Sequence, residues 1–101
     1  MNRFSKLANI SKEEAENLAI SGLVHLAAED DLLMRFSALT GILPNDMRQA
    51  ASAPAFLAGV LDFYLSHEPD LLAWCKAENL NPENIAKARY ALSPQDVSGF
   101  E

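Results

Sequence analysis

Apolar positions along this chain recur at helical spacing, and no segment shows the strict alternation of a half-buried strand. Ser11 followed by Glu14 forms a capping box, in which the hydroxyl accepts from one orphan N–H and the carboxylate reaches back to another. That pair predicts a first helix from about Lys12 to about Ala28, with Leu18, Ala19, Leu23 and Leu26 facing inward. Asp30 or Asp31 is expected to cap a second helix carrying Leu33, Phe36 and Leu39. Gly41 stands where a left-handed residue would end it, and Ile42 should fold back onto Phe36.

Pro44 suits the first turn of a short third helix, because its missing N–H would be an orphan donor there; Met47 and Ala50 face inward. Ser52 with Pro54 is read as the opening of a fourth helix. In it Phe56, Leu57, Val60, Leu61, Phe63, Tyr64 and Leu65 cover an arc of about 200°, so neighbours must wrap it. Pro69 restarts the chain for a fifth helix holding Leu71, Leu72, Trp74 and Cys75, which ends at Asn79, a residue that tolerates the left-handed conformation. Asn81 and Pro82 open a sixth, with Ile85, Ala88 and Leu92 inward. The tail SPQDVSGFE, residues 93–101, has no partnering pattern and is expected to fray.

Two stretches share this grammar. At an offset of 38 residues Phe36 falls on Trp74, Gly41 on Asn79, Ile42 on Leu80, Pro44 on Pro82 and Met47 on Ile85. The correspondence raises the expectation of two three-helix units. Two are too few for an open solenoid, so they should close on each other. The pattern predicts an all-α domain of six short helices spanning 1–101, with an ordered core over 11–92 and the fourth helix at its centre.

Composition narrows the function. A chain of 101 residues, half of them apolar, is enough for one core without metals or disulfides. Fourteen acids against eight Lys and Arg give a net charge of −6, with no basic cluster, so phosphate backbones and anionic membranes should be repelled. The lone Cys75 fits a reducing compartment and reads as a buried spectator. The basic MNRFSK and apolar LAISGLVHLAA are separated by acidic KEEAEN, which argues against a secretory signal. The apolar run is also broken by Ser21, Gly22 and His25 and too short to span a bilayer. A cytoplasmic protein is expected.

Candidate chemistry is sparse. Neither His25 nor His67 belongs to a metal-spaced set. His25 reads as an exposed surface residue near Ser21, and His67, in SHEPD, as the start of a helix. The pairs Glu13/Glu14 and Asp30/Asp31 fall in first turns, where negative charge complements the helix dipole. No phosphate-binding loop or nucleophile motif is present, so no catalytic residue, metal or cofactor is expected and the chain reads as a non-enzyme. The second helix, Gly turn and third helix suggest a helix-turn-helix, but Arg48 is the only cation in NDMRQA and Asp46 would face phosphates.

The stretch LLMRFSALTGILPNDMRQAASAPAFLAGVLDFYL resembles a family of short bacterial proteins of unknown function. Their shared core is a helix ending in Leu-Thr-Gly, then Pro, a short Arg-containing helix and an apolar Phe-Leu helix. The resemblance implies an all-helical fold and carries no activity, cofactor or catalytic residue with it. A protein-interaction module is the reading that needs fewest assumptions, with an unidentified protein partner or self-association. The alternative is a DNA-linked regulatory or small-ligand-binding protein using the second helix, turn and third helix. Ile20 and Val24 lie on the flank of the first helix beside Glu13 and Asn17; either a neighbouring helix covers them, or they are the candidate contacts for a partner or a second copy, rimmed by acids that favour a basic target.

Overall fold

The computed structural model describes residues 10–92. The expected tail at 93–101 lies outside them. Six α-helices follow one another: α1 (Lys12–Ala27), α2 (Asp30–Thr40), α3 (Met47–Ala50), α4 (Pro54–Leu65), α5 (Glu68–Glu78) and α6 (Pro82–Leu92). A 3-10 turn, Pro44–Asp46, leads into α3. There is no strand among the described residues, and the all-α six-helix reading holds.

The helix boundaries follow local chemistry. Ser11 Oγ accepts from Glu14 N at 3.0 Å while Glu14 Oε1 accepts from Ser11 N at 3.1 Å, the reciprocal capping box that starts α1. Gly41 ends α2 at φ 77° and Asn79 ends α5 at φ 58°, both left-handed. At Asn79 the Leu80 N–H reaches Cys75 O at 2.7 Å, the long bond of a Schellman motif, and Leu80 packs on the core. At Gly41 hydroxyls do the work: Thr40 Oγ1 donates to Phe36 O and accepts from Ile42 N, while Ser37 Oγ donates to Ile42 O. Asn81 Oδ1 accepts from Glu83 N at 2.9 Å at the start of α6.

Two expected caps are corrected. Asp30 and Asp31 lie inside the first turn of α2, and its N-cap is Glu29, which makes no side-chain bond. Their charges act on the helix dipole instead of on single N–H groups. Ser52 does not cap α4: its hydroxyl donates back to Gln49 O, and Ala53 is the N-cap ahead of Pro54.

Helix α4 is the hub. Phe56, Leu57, Val60, Leu61, Phe63 and Tyr64 are all buried on it, and α1, α5 and α6 pack around it. From α2, Phe36 meets Phe56 and Phe63 edge-on, with centroids 5.7 and 5.3 Å apart, an arrangement matching ring quadrupoles. Two of the apolar residues that mark these helices in the sequence do not reach the core. Leu39 is 72% exposed and Leu72 47% exposed, while Leu32 is buried on α2. In each case the helix has already filled its inward stripe, Leu32 and Phe36 on α2 and Leu71, Trp74 and Cys75 on α5.

Of the described glycines, Gly22 is the one packed tightly against neighbouring side chains. The Tyr64 hydroxyl donates to Gly22 O at 2.8 Å in a buried bond. The Trp74 ring stacks on Tyr64 with centroids 4.4 Å apart. A β-carbon at position 22 would stand 2.9 Å from Trp74 Cη2 and 3.1 Å from Tyr64 Cε2, which leaves no room for a side chain. Glycine is weak inside a helix, and here the three-way packing of α1, α4 and α5 requires it. Trp74 Nε1 is buried with no hydrogen-bond partner among the described residues, so the ring contributes by packing.

The two halves share several features. Phe36 and Trp74 are both buried, Met47 and Ile85 are both buried, and Gly41 and Asn79 are both left-handed. They part at the third element: α3 has 4 residues beside the 3-10 turn, whereas α6 has 11 and packs on both α1 and α4. These shared positions do not establish a duplicated unit.

The left-handed ends make a first prediction. Asn79→Ala should destabilise the fold by about 1 kcal/mol and Asn79→Gly should not, since only the alanine suffers the Cβ clash of that conformation; urea midpoints read the difference. The second prediction concerns pH. Burial, and secondarily the Asp70 charge, pushes the Tyr64 phenol well above its ordinary value, and burial pushes the Cys75 thiol up. Both groups ionise sooner in the unfolded chain, so stability is full below their unfolded values and should fall as pH rises beyond about 9–10. Tyr64→Phe should cost about 1 kcal/mol at neutral pH through the lost bond to Gly22 and flatten that alkaline decline. A decline unchanged in the variant would contradict the assignment.

Candidate docking groove between α1 and α3

A groove of about 410 Å³ opens on the side of the bundle where α1, the start of α2 and α3 meet. Its walls are two helical stripes. From α1 come Ile20, Leu23, Val24 and Ala27, and from the facing segment Pro44, Met47, Arg48 and Ala51, each set spaced i, i+3, i+4, i+7. Leu33 of α2 completes the lining. Leu23 and Met47 are buried, while Ile20 is 41% and Val24 64% exposed. Leu43, next to Pro44 in the sequence, is exposed too.

Arg48 is the only charged residue in the lining. Carboxylates stand in line with the walls. On α1 Glu16 and Glu13 precede Ile20 by four and seven residues, on the same helix face, and on α2 Asp30 lies one turn before Leu33. None of Glu13, Glu16, Asp30 and Arg48 takes part in an ion pair or side-chain hydrogen bond among the described residues. Among the described residues these carboxylates thus have no ion-pair partner, and Glu13 and Asp30, in first turns, act on the helix dipoles.

The predicted contact residues Ile20 and Val24 thus share one groove and are not covered by a neighbouring helix. Met47 was expected inward and is its floor. The other wall was legible in principle, because Pro44, Met47, Arg48 and Ala51 carry the same spacing as α1. A helix of 4 residues is simply too short for periodicity to single out that face.

The remaining candidates sit elsewhere. His25 is half-buried and not an open surface residue: its ring lies 6.3 Å from that of Tyr64. His67 is the N-cap of α5, as the sequence suggested, with Nδ1 2.7 Å from Asp70 Oδ2. Arg35 of α2 donates to the same oxygen at 2.8 Å and lies over the Phe63 ring, 5.3 Å from its centroid. This cluster ties α2 to α5. Cys75 is buried and its thiol is held protonated, away from the nucleophilic thiolate. Among the described residues no three His, Cys, Asp or Glu side chains converge on a position that could hold a metal ion. No helix of the described residues is long and apolar enough to cross a membrane.

No curated protein and no solved structure matches the chain. A family model does, over residues 12–95, a span that begins with α1 and includes every helix described above. The chain therefore belongs to the protein family of unknown function DUF3572.

Proposed function

We propose that this protein is a non-enzymatic protein-interaction module whose docking face is the α1–α3 groove. The observation that carries the reading is the exposure of Ile20 and Val24 inside a formed, almost wholly apolar groove. Burying such side chains under a partner is favourable by about 25 cal/mol per Å² of apolar surface. Its size, about 410 Å³, also falls within the ~300–1,000 Å³ range of small-molecule sites, which favours an apolar ligand as the second reading. The protein reading has more support, since the groove is walled by two helical stripes with Ile20 and Val24 exposed along one of them, and Leu43, the neighbour of Pro44 in sequence, is exposed as well. The non-enzymatic part of the proposal is supported by the protonated burial of Cys75 and by the engagement of His67 with Asp70 in a helix start.

A DNA-linked role has less behind it. The element after the Gly41 turn has one helical turn, its Met47 is buried in the core, and Arg48 is its one cation.

Ile20→Glu with Val24→Glu is expected to keep the far-UV helical signal and a Tm within about 5 °C of the parent, since both positions are already exposed. Affinity for partners bound by the parent protein should fall at least ~10-fold, read by quantitative co-purification from cells and repeated with the purified partner. A control pair on other faces, Leu72→Glu with Tyr90→Glu, should leave binding intact. Loss in the control pair alone would move the docking face, and unfolding of the Ile20/Val24 variant would make those residues structural.

A further inference from the structure

We infer that the groove's partner is a basic amphipathic helix: a segment with apolar residues at i, i+3 or i+4, and i+7, flanked by Lys or Arg. The inference rests on the interaction-module reading and names its partner's chemistry.

Charge selects the sign. Glu13, Glu16 and Asp30 stand in line with the groove walls and form no ion pair among the described residues, the lining itself holds the single charge of Arg48, and the whole chain carries −6. A second copy would bring the same acids to the same walls and the same net charge, which disfavours self-pairing on this face. An acidic partner would meet like charge along the α1 wall. A basic segment gains on both counts, in encounter rate and in the bound state.

Geometry selects the helix. Peptides that add as strands need an open sheet edge, and the described residues contain no strand. The walls here are helix faces, whose backbone groups are already bonded internally, so recognition falls to side chains. Along α1 the stripe from Glu13 to Ala27 runs over about 21 Å, at 1.5 Å per residue. A partner helix of about four turns matches it, with its apolar stripe on Ile20 and Val24 and a basic end over Glu13 and Glu16.

The test uses the full chain and two synthetic probes: amidated peptides of about 15 residues with the same Leu stripe at helical spacing, one flanked by Lys and one by Glu. Binding is measured by fluorescence anisotropy at low and at ~0.5 M salt, where the Debye length has shrunk to a few ångströms. The Lys-flanked peptide should bind at least ~10-fold more tightly than the Glu-flanked one and weaken as salt rises. Glu13→Lys with Glu16→Lys should weaken it several-fold, Arg48→Glu should strengthen it, and Ile20→Glu with Val24→Glu should abolish it. Far-UV circular dichroism confirms that each variant is folded.

Equal or tighter binding of the Glu-flanked peptide overturns the proposal. So does a Lys-flanked peptide that fails to bind, or whose binding ignores the Ile20/Val24 variant, as does concentration-dependent dimerisation lost in that variant. Sodium decanoate binding in the groove while neither peptide does would also overturn it, in favour of a small amphiphile. If neither peptide binds but the Ile20/Val24 variant still loses its cellular partner, the interaction module stands and only the basic helix falls.

Discussion

Gly22 leaves no space for a side chain, and much of the molecule's arrangement depends on that. Trp74 from α5 and Tyr64 from α4 close on the α1 backbone at this one residue, and the Tyr64 hydroxyl fixes the contact with a buried bond to Gly22 O. A helix-weakening residue in mid-α1 is thereby offset by the burial of two large aromatic rings. From Tyr64 the aromatic contacts run through Phe63 to Phe36, so α2 is coupled to α5 across the hub helix. Arg35 and Asp70 close the same circuit at the surface.

That packing also determines where a partner can bind. With Ala15, Ala19, Gly22 and Leu26 turned toward the core, α1 carries Ile20 and Val24 on a face the hub does not cover. The short α3 anchors Met47 in the core and faces α1 without closing over it. The groove is thus a consequence of a third element too short to cover the flank of the first. The interaction proposal follows from that shortfall, and the acids in line with α1 give it a direction.

Much of the fold was legible because its signals are local. The Ser11–Glu14 box, Gly41, Asn79, Pro54 and Pro82 each act within a turn or two, and each stands at a helix end in the structure. Leu39 and Leu72 misled because an apolar side chain states a preference, while the stripe beside it decides whether room remains. Ser52 misled for a different reason: a hydroxyl near a helix start can bond backward as easily as forward. Gly22 was visible only as an interruption in an apolar run, since its role depends on residues 42 and 52 positions away. Of the groove, the α1 wall could be read from periodicity, whereas its opposite wall exists only once Pro44 to Ala51 has folded against it.

The central claim is the steric limit at Gly22, and a double-mutant cycle with Trp74 tests it most directly. Alanine is the better helix former by about 1 kcal/mol, so without a clash Gly22→Ala would stabilise the protein. With Trp74 in place the added β-carbon should outweigh that gain and leave the protein about 1–2 kcal/mol less stable by urea unfolding. In a Trp74→Phe background the two nearest ring atoms are gone and only Tyr64 Cε2, at 3.1 Å, still crowds the position, so the same substitution should cost clearly less than in the parent. Equal stabilisation by Gly22→Ala in both backgrounds would show that nothing crowds that position and would contradict the account.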